Sequence, residues 1–129
     1  MLFNEQELEI QRQIISVMIE LDQAAELLFS KVNQAGWSQR NALISHVYSE
    51  YEKHKELEHK RNKWEQISLE HRVHKKLYNL LCEYRDLYGY FPAYKRMLIQ
   101  FDDLLKTALI KEEYEIATIL QKWRKRFPN

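Results

Sequence analysis

Apolar residues fall at helical spacing along most of the chain. From Ile14 they step by four and three through Met18, Leu21, Ala25, Leu28, Val32 and Ala35. A run of heptads like this puts one seam on one face of a helix, as in a coiled coil or bundle. Ile10, Val17, Ala24 and Phe29 widen that face, which favours a globular bundle over a two-stranded coil. Asn4 is suited to N-cap this helix, and Glu7 three residues on completes a capping box. Leu2 and Phe3 are placed to staple its start, and Glu5, Glu7 and Glu9 answer the positive end of the helix dipole. Gly36 stands where a C′ stop belongs.

Ser38 then predicts a second N-cap, followed by a buried face of Ala42, Leu43, Ile44, Val47, Tyr48 and Tyr51. Residues 49–66 are different: only Tyr51, Leu57 and Trp64 are large and apolar. Two readings fit, a helix running past the bundle into solvent or a loop near Arg61 and Asn62. The absence of Gly and Pro, and the Glu56–Lys60 spacing, favour the helix. Ser68 caps or interrupts it, and Leu69, Val73, Leu77, Leu80, Tyr84 and Leu87 form a third stripe. Gly89 predicts a left-handed stop, and Pro92 suits the first turn of the next helix. The last segment, 92–127, carries two stripes: Tyr94, Leu98, Phe101, Leu105 and Ala108, then Ile116, Leu120, Trp123 and Phe127. They are out of phase across Lys111, Glu112 and Glu113, so the segment is one interrupted helix or a hairpin. The predicted fold is all-α: a single domain over 1–129, an antiparallel bundle of four to five helices with a long charged middle segment.

Composition narrows the alternatives. Two Gly and two Pro in 129 residues cannot supply the turns of a sandwich or barrel. A formal net charge of +1 gives no global field for nucleic acid or an anionic membrane. The charge is segregated, however: residues 1–35 hold six acids and two bases, while 53–76 hold eight Lys or Arg and four His. The single Cys82 has no partner for an internal disulfide, and in its apolar run reads as a small buried hydrophobe. The acidic N-terminus has no basic leader region, and no apolar run reaches the roughly 20 residues of a membrane span. A cytoplasmic protein without membrane association is the expectation.

Catalytic patterns are scarce. Glu56-Leu57-Glu58-His59 is one Glu-x-x-His, but a di-metal bundle needs two such motifs plus further inward glutamates. His54, Glu56 and His59 are therefore a distant metal-binding alternative, and His71 with His74 reads as a solvated pair on a polar face. No nucleophile elbow or phosphate loop is spelled, and Asp102-Asp103 and Glu112-Glu113 are neighbours that diverge on a helix. No catalytic residue, metal or cofactor is expected, and the chain reads as a non-enzyme.

Two basic patches bear on nucleic acid: Lys60, Arg61 and Lys63 beside Trp64, continuing to Arg72, Lys75 and Lys76, and Arg124 with Arg126 around Trp123. Interleaved Glu56, Glu58 and Glu65 dilute the first, and Trp123 is in phase with the core. Eight Tyr and three Trp point instead toward protein contact, with Trp64, Tyr88, Tyr90, Phe91, Tyr94 and Tyr114 as candidate residues. The leading reading is an adaptor or regulator presenting a helical surface to a protein partner, with homodimerisation through the first helix as one form of it. A nucleic-acid accessory role is the alternative.

Phe101 to Arg126 resembles the helical-hairpin motif shared by the UvrB and UvrC excision-repair proteins. The matching residues are Leu104, Leu105, Ala108, Glu112, Glu113, Tyr114, Glu115, Ala117 and Leu120. The Arg-Asp that usually closes that motif is missing, Gln121 and Lys122 following Leu120 here. The resemblance implies a protein-docking hairpin lined by Tyr114, Ala117 and Leu120, with no nuclease chemistry.

Overall fold

A computed structural model describes residues 3–49 and 53–129; the expectations placed on Leu2 and Tyr51 lie outside them. The described residues form four helices and no strand: α1 Glu5–Tyr48, α2 His54–Tyr84, α3 Tyr94–Ile110 and α4 Tyr114–Arg124. The all-α expectation holds, but the helices divide the sequence at other places.

α1 begins as its spelling requires. The Asn4 side chain accepts from the Glu7 amide at 2.8 Å, and the Glu7 carboxylate accepts from the Asn4 amide. The helix does not stop at Gly36, and Ser38 starts nothing; both are interior residues of a 44-residue helix. The reason is tertiary. The Trp64 indole of α2 lies over Gly36, within 3.5 Å of where a β-carbon would sit. A packed partner along the whole face outweighs the roughly 1 kcal/mol that an interior glycine costs. Residues 54–84 are likewise one helix, so neither Arg61–Asn62 nor Ser68 interrupts it.

α1 and α2 pair as an antiparallel hairpin. Phe29 faces His71, Gly36 faces Trp64 and His46 faces His54, and the numbers of each pair add up to 100. At one end of this hairpin the head is built. Ile14, Val17, Met18 and Leu21 of α1 meet Val73, Leu77, Leu80 and Leu81 of α2. Over them pack Met97, Leu98, Phe101 and Ala108 of α3, Ala117, Leu120 and Trp123 of α4, and Phe127. Both stripes of the C-terminal segment thus face the core. They belong to two helices joined at Lys111–Glu113, where Glu112 adopts a left-handed φ of 59°. The Glu113 amide donates to Ala108 C=O at 2.9 Å and the Glu112 amide to Leu109 C=O at 3.1 Å, the bond pattern of a Schellman stop.

The α2–α3 connection is fastened rather than loose. Gly89 takes a left-handed φ of +84°, but it stops no helix: α2 already ends at Tyr84, so Gly89 turns the connection, and Pro92 precedes α3 rather than opening it. The Asp86 carboxylate accepts from the amides of Tyr88 and Tyr90 at 2.9 and 3.0 Å. Phe91 inserts fully into the core, and Gln11 of α1 clamps it. Gln11 Oε1 accepts from the Phe91 amide at 2.6 Å and Gln11 Nε2 donates to the Phe91 carbonyl at 2.9 Å.

The head's core ends near Ala24 in α1 and Leu69 in α2. Beyond it the hairpin continues alone as an arm of some 24 residues in α1, about 36 Å long. Small buried residues, Ala25, Ala35 and Ala42, line its inner face on α1, and Leu57 is buried on α2.

Candidate functional site

Exposed apolar side chains occur on the head, at Ile19, Leu87, Ile99, Ile110 and Tyr114, and in a denser run near the tip of the arm. Leu43, Ile44, Val47 and Tyr48 were expected to be buried; instead they are about half exposed, and Tyr48 is 85% exposed. Ala42 is buried, because α2 covers one side of α1 here, and among the described residues no other helix reaches the opposite side. Trp37, 62% exposed, extends the surface about two turns toward the head. The spacing 37, 40, 41, 44, 47 and 48 makes this a single stripe on the outer face of α1. The Arg40 guanidinium lies 5.0 Å over the Trp37 ring. Between the stripe and α2 runs a shallow groove of about 560 Å³, lined by Val32, Gly36, Trp37, Arg40, Leu43 and Trp64.

The chemistry of the stripe is unusual for this chain. From Asn41 to Ser49 there is no Asp, Glu, Lys or Arg, although 30% of the chain is charged. The facing part of α2 is the reverse. Lys53, His54, Lys55, Glu56, Glu58, His59, Arg61 and Lys63 are all exposed, and His54 pairs with Glu58 at 3.9 Å. The arm therefore has one apolar side and one mixed-charge side.

The aromatic residues around the α2–α3 connection offer less than the sequence suggested. Phe91 has no exposed surface, so it is core. Tyr90 packs its ring against Phe3 at 5.4 Å, and Tyr94 packs on the core. Tyr88 and Leu87 remain exposed, so Leu87 does not continue the third stripe. Trp64 is half-buried over Gly36, and Tyr114 is exposed at the start of α4. Of the other residues matched to the excision-repair hairpin motif, Ala117 and Leu120 are buried in the head.

The basic residues do not form one surface. Lys60, Arg61 and Lys63 lie on the arm, with Lys60 half-buried. Arg72, Lys75 and Lys76 are exposed along the head portion of α2. Arg72, Lys76 and Lys111 rim a groove of about 280 Å³ whose floor includes Leu77, Leu104 and Leu120. At the C-terminus, Arg124 donates to Asp102 at 2.8 Å and to the Pro128 carbonyl at 3.2 Å, and Arg126 pairs with Glu20. Those two arginines fasten α4 to α3 and α1. Glu20 and the residues facing Lys63 are some 16 positions apart on α1, so the two patches stand about 24 Å apart along it.

Neither histidine pair forms a metal site. Among the described residues no three His, Cys, Asp or Glu side chains converge for a metal. His71 rests against the Phe29 ring, and His74 is a core residue rather than a solvated one. His74 Nε2 accepts from Trp123 Nε1–H at 2.9 Å, and its Nδ1 lies 2.6 Å from the Glu70 carbonyl. That pair of partners fixes the neutral tautomer with the proton on Nδ1. Cys82 is only partly buried, and its nearness to Tyr78 holds that phenol above its ordinary value, chiefly because a thiolate there would repel a phenolate. Gln11, which the sequence did not single out, and His74, expected on a polar face, are both buried polar groups of the core. Each stands in phase with its apolar stripe, Gln11 three residues before Ile14 and His74 three before Leu77.

No helix among the described residues is long and apolar enough to cross a membrane. No protein-family model, curated protein or solved structure matches the chain.

Proposed function

We propose that this chain is a non-enzymatic helical adaptor: a four-helix head holds a helical hairpin outward, and a protein partner docks on the hairpin's apolar side. The observation that carries the reading is the uncovered stripe Trp37, Ile44, Val47 and Tyr48, flanked on the groove side by the half-exposed Leu43. A helix on a protein surface ordinarily turns its polar residues outward. Between Ala42 and Tyr48 the inner face of α1, Ala42 and His46, is buried, while its apolar outer face is left uncovered among the described residues. The rim is suited to protein contact, with Trp, Tyr and Arg side chains enriched at binding hot spots.

The test is capture from native lysate by tagged protein, with and without nuclease, comparing wild type with Trp37→Glu/Ile44→Glu. A stoichiometric protein retained by the wild type through nuclease treatment and lost by the variant is the expected result. Equal retention by both would remove the arm as the docking surface. Material lost on nuclease treatment, with affinity falling steeply in salt, would favour the nucleic-acid reading through Lys60, Arg61 and Lys63.

A further inference from the structure

We propose that the occupant of the arm's apolar stripe is a second copy of this chain, docked antiparallel about a two-fold axis at Ile44. The inference rests on the docking reading above and names its partner.

The stripe meets the requirements of a self-complementary surface. It is centred on Ile44, with Trp37, Arg40 and Asn41 on one side and Val47 and Tyr48 on the other. An isologous contact places residue i against residue j and j against i. With the axis at Ile44, Ile44 meets its own copy, Asn41 meets Val47, and Arg40 meets Tyr48 of the partner subunit. Each Arg40 already lies over its own Trp37. The stripe's only formal charge is therefore set between two aromatic rings, where a cation is favoured. No acidic or second basic group on the stripe opposes its counterpart across the axis.

The area agrees. Trp37, Leu43, Ile44, Val47 and Tyr48 are 62, 48, 47, 50 and 85% exposed. At about 150–250 Å² for each full side chain, they leave about 440–730 Å² uncovered per copy. Apposing two copies buries at most about 900–1,500 Å², which reaches the lower part of the range for specific dimers. The charges agree as well. Pairing α1 with α1 hides the charge-free stretch and leaves both α2 helices outward, with their exposed lysines and glutamates in water. The result is a four-helix arrangement of two hairpins, a common way to finish a half-covered helix pair. A lipid surface fits less well. Interfacial helices flank their apolar face with Lys and Arg, and here those residues sit on the opposite side of the arm.

The experiment is sedimentation equilibrium of the full chain across the micromolar range, with disulfide mapping. Wild type is expected to approach twice 15.8 kDa as concentration rises. Trp37→Glu/Ile44→Glu is expected to stay at one chain with unchanged helical circular dichroism. In a Cys82→Ser background, Ile44→Cys is expected to form an intermolecular disulfide at least tenfold faster than Ile19→Cys, which is exposed but lies on the head portion of α1. A wild type that stays monomeric at every concentration would overturn the dimer. So would a dimer that survives Trp37→Glu/Ile44→Glu, or equal cross-linking at the two cysteines. If the wild type is monomeric yet lysate capture still depends on Trp37 and Ile44, the second copy is refuted and the docking reading stands.

Discussion

Replacing Gln11 by Leu tests how the head is held together. Gln11 is 1% exposed and spends both ends of its amide on the backbone of Phe91, itself 0% exposed. Leu is close in size and prefers to be buried, so packing changes little. The Phe91 amide loses its acceptor and has no other. The Phe91 carbonyl keeps one weaker donor, the Tyr94 amide at 3.2 Å. An orphaned buried amide costs about 1–3 kcal/mol, and the second lost bond about 0.5–1.5 kcal/mol. Against that stands about 1 kcal/mol gained by burying a more apolar side chain. The expected net loss is about 0.5–3.5 kcal/mol, a large share of the 5–15 kcal/mol that holds a typical domain together. Urea unfolding followed by circular dichroism measures it, with exposed Gln6→Leu as the control expected to stay within about 0.5 kcal/mol of wild type. Amide exchange at Phe91 should accelerate in the same variant. Wild-type stability in Gln11→Leu, or a Gln6→Leu loss as large, would refute the clamp.

Other perturbations separate backbone from packing effects. Gly36→Ala should raise stability by about 0.5–1 kcal/mol, because the new β-carbon makes an ordinary contact at 3.5 Å with Trp64 and removes an interior glycine; a loss in thermal unfolding would mean the helix ends there after all. Glu112→Gly should stabilise by about 0.5–1 kcal/mol, since the α3–α4 stop holds Glu112 at φ 59° and glycine carries no left-handed penalty; the readout is the urea midpoint. His74→Leu should cost about 1–3 kcal/mol by stranding the Trp123 indole N–H, and restoring Trp123→Phe in the same chain should recover part of it. The Tyr78 phenol is raised, so the folded state keeps its proton longer than the unfolded state; stability from this group falls as pH rises from the ordinary tyrosine value through the raised one. Cys82→Ala should narrow that window, read by tyrosine-resolved titration.

The parts of the fold visible in the sequence are those set by neighbouring residues. The Asn4–Glu7 box and the two C-terminal stripes depend on local spacing and appear as spelled, while Gly89 has the left-handed φ its type suggests but lies five residues past the end of α2. Gly36 and Ser38 spell a break just as well, yet α1 passes through them. A tryptophan 28 positions along the chain covers the glycine, and no local pattern carries that information. The same limit applies to Leu43, Ile44, Val47 and Tyr48. Periodicity marks them as a face that wants covering, and cannot say that no helix of this chain covers it. Gln11 and His74 were legible in principle, as polar residues standing in apolar register, and their backbone and indole partners were not.

The docking surface exists only if α1 is unbroken and the arm stands clear of the head. Small-angle scattering of the Trp37→Glu/Ile44→Glu variant measures that shape directly, without self-association. A 44-residue helix is about 66 Å long, and a particle built along it has a radius of gyration of about 19–20 Å. A closed bundle of 129 residues, with α1 ending at Gly36 and the chain folding back, has about 14 Å. A value near 20 Å with a maximum dimension beyond 66 Å is the predicted result. A value near 14 Å would contradict the projecting arm, and the docking surface with it.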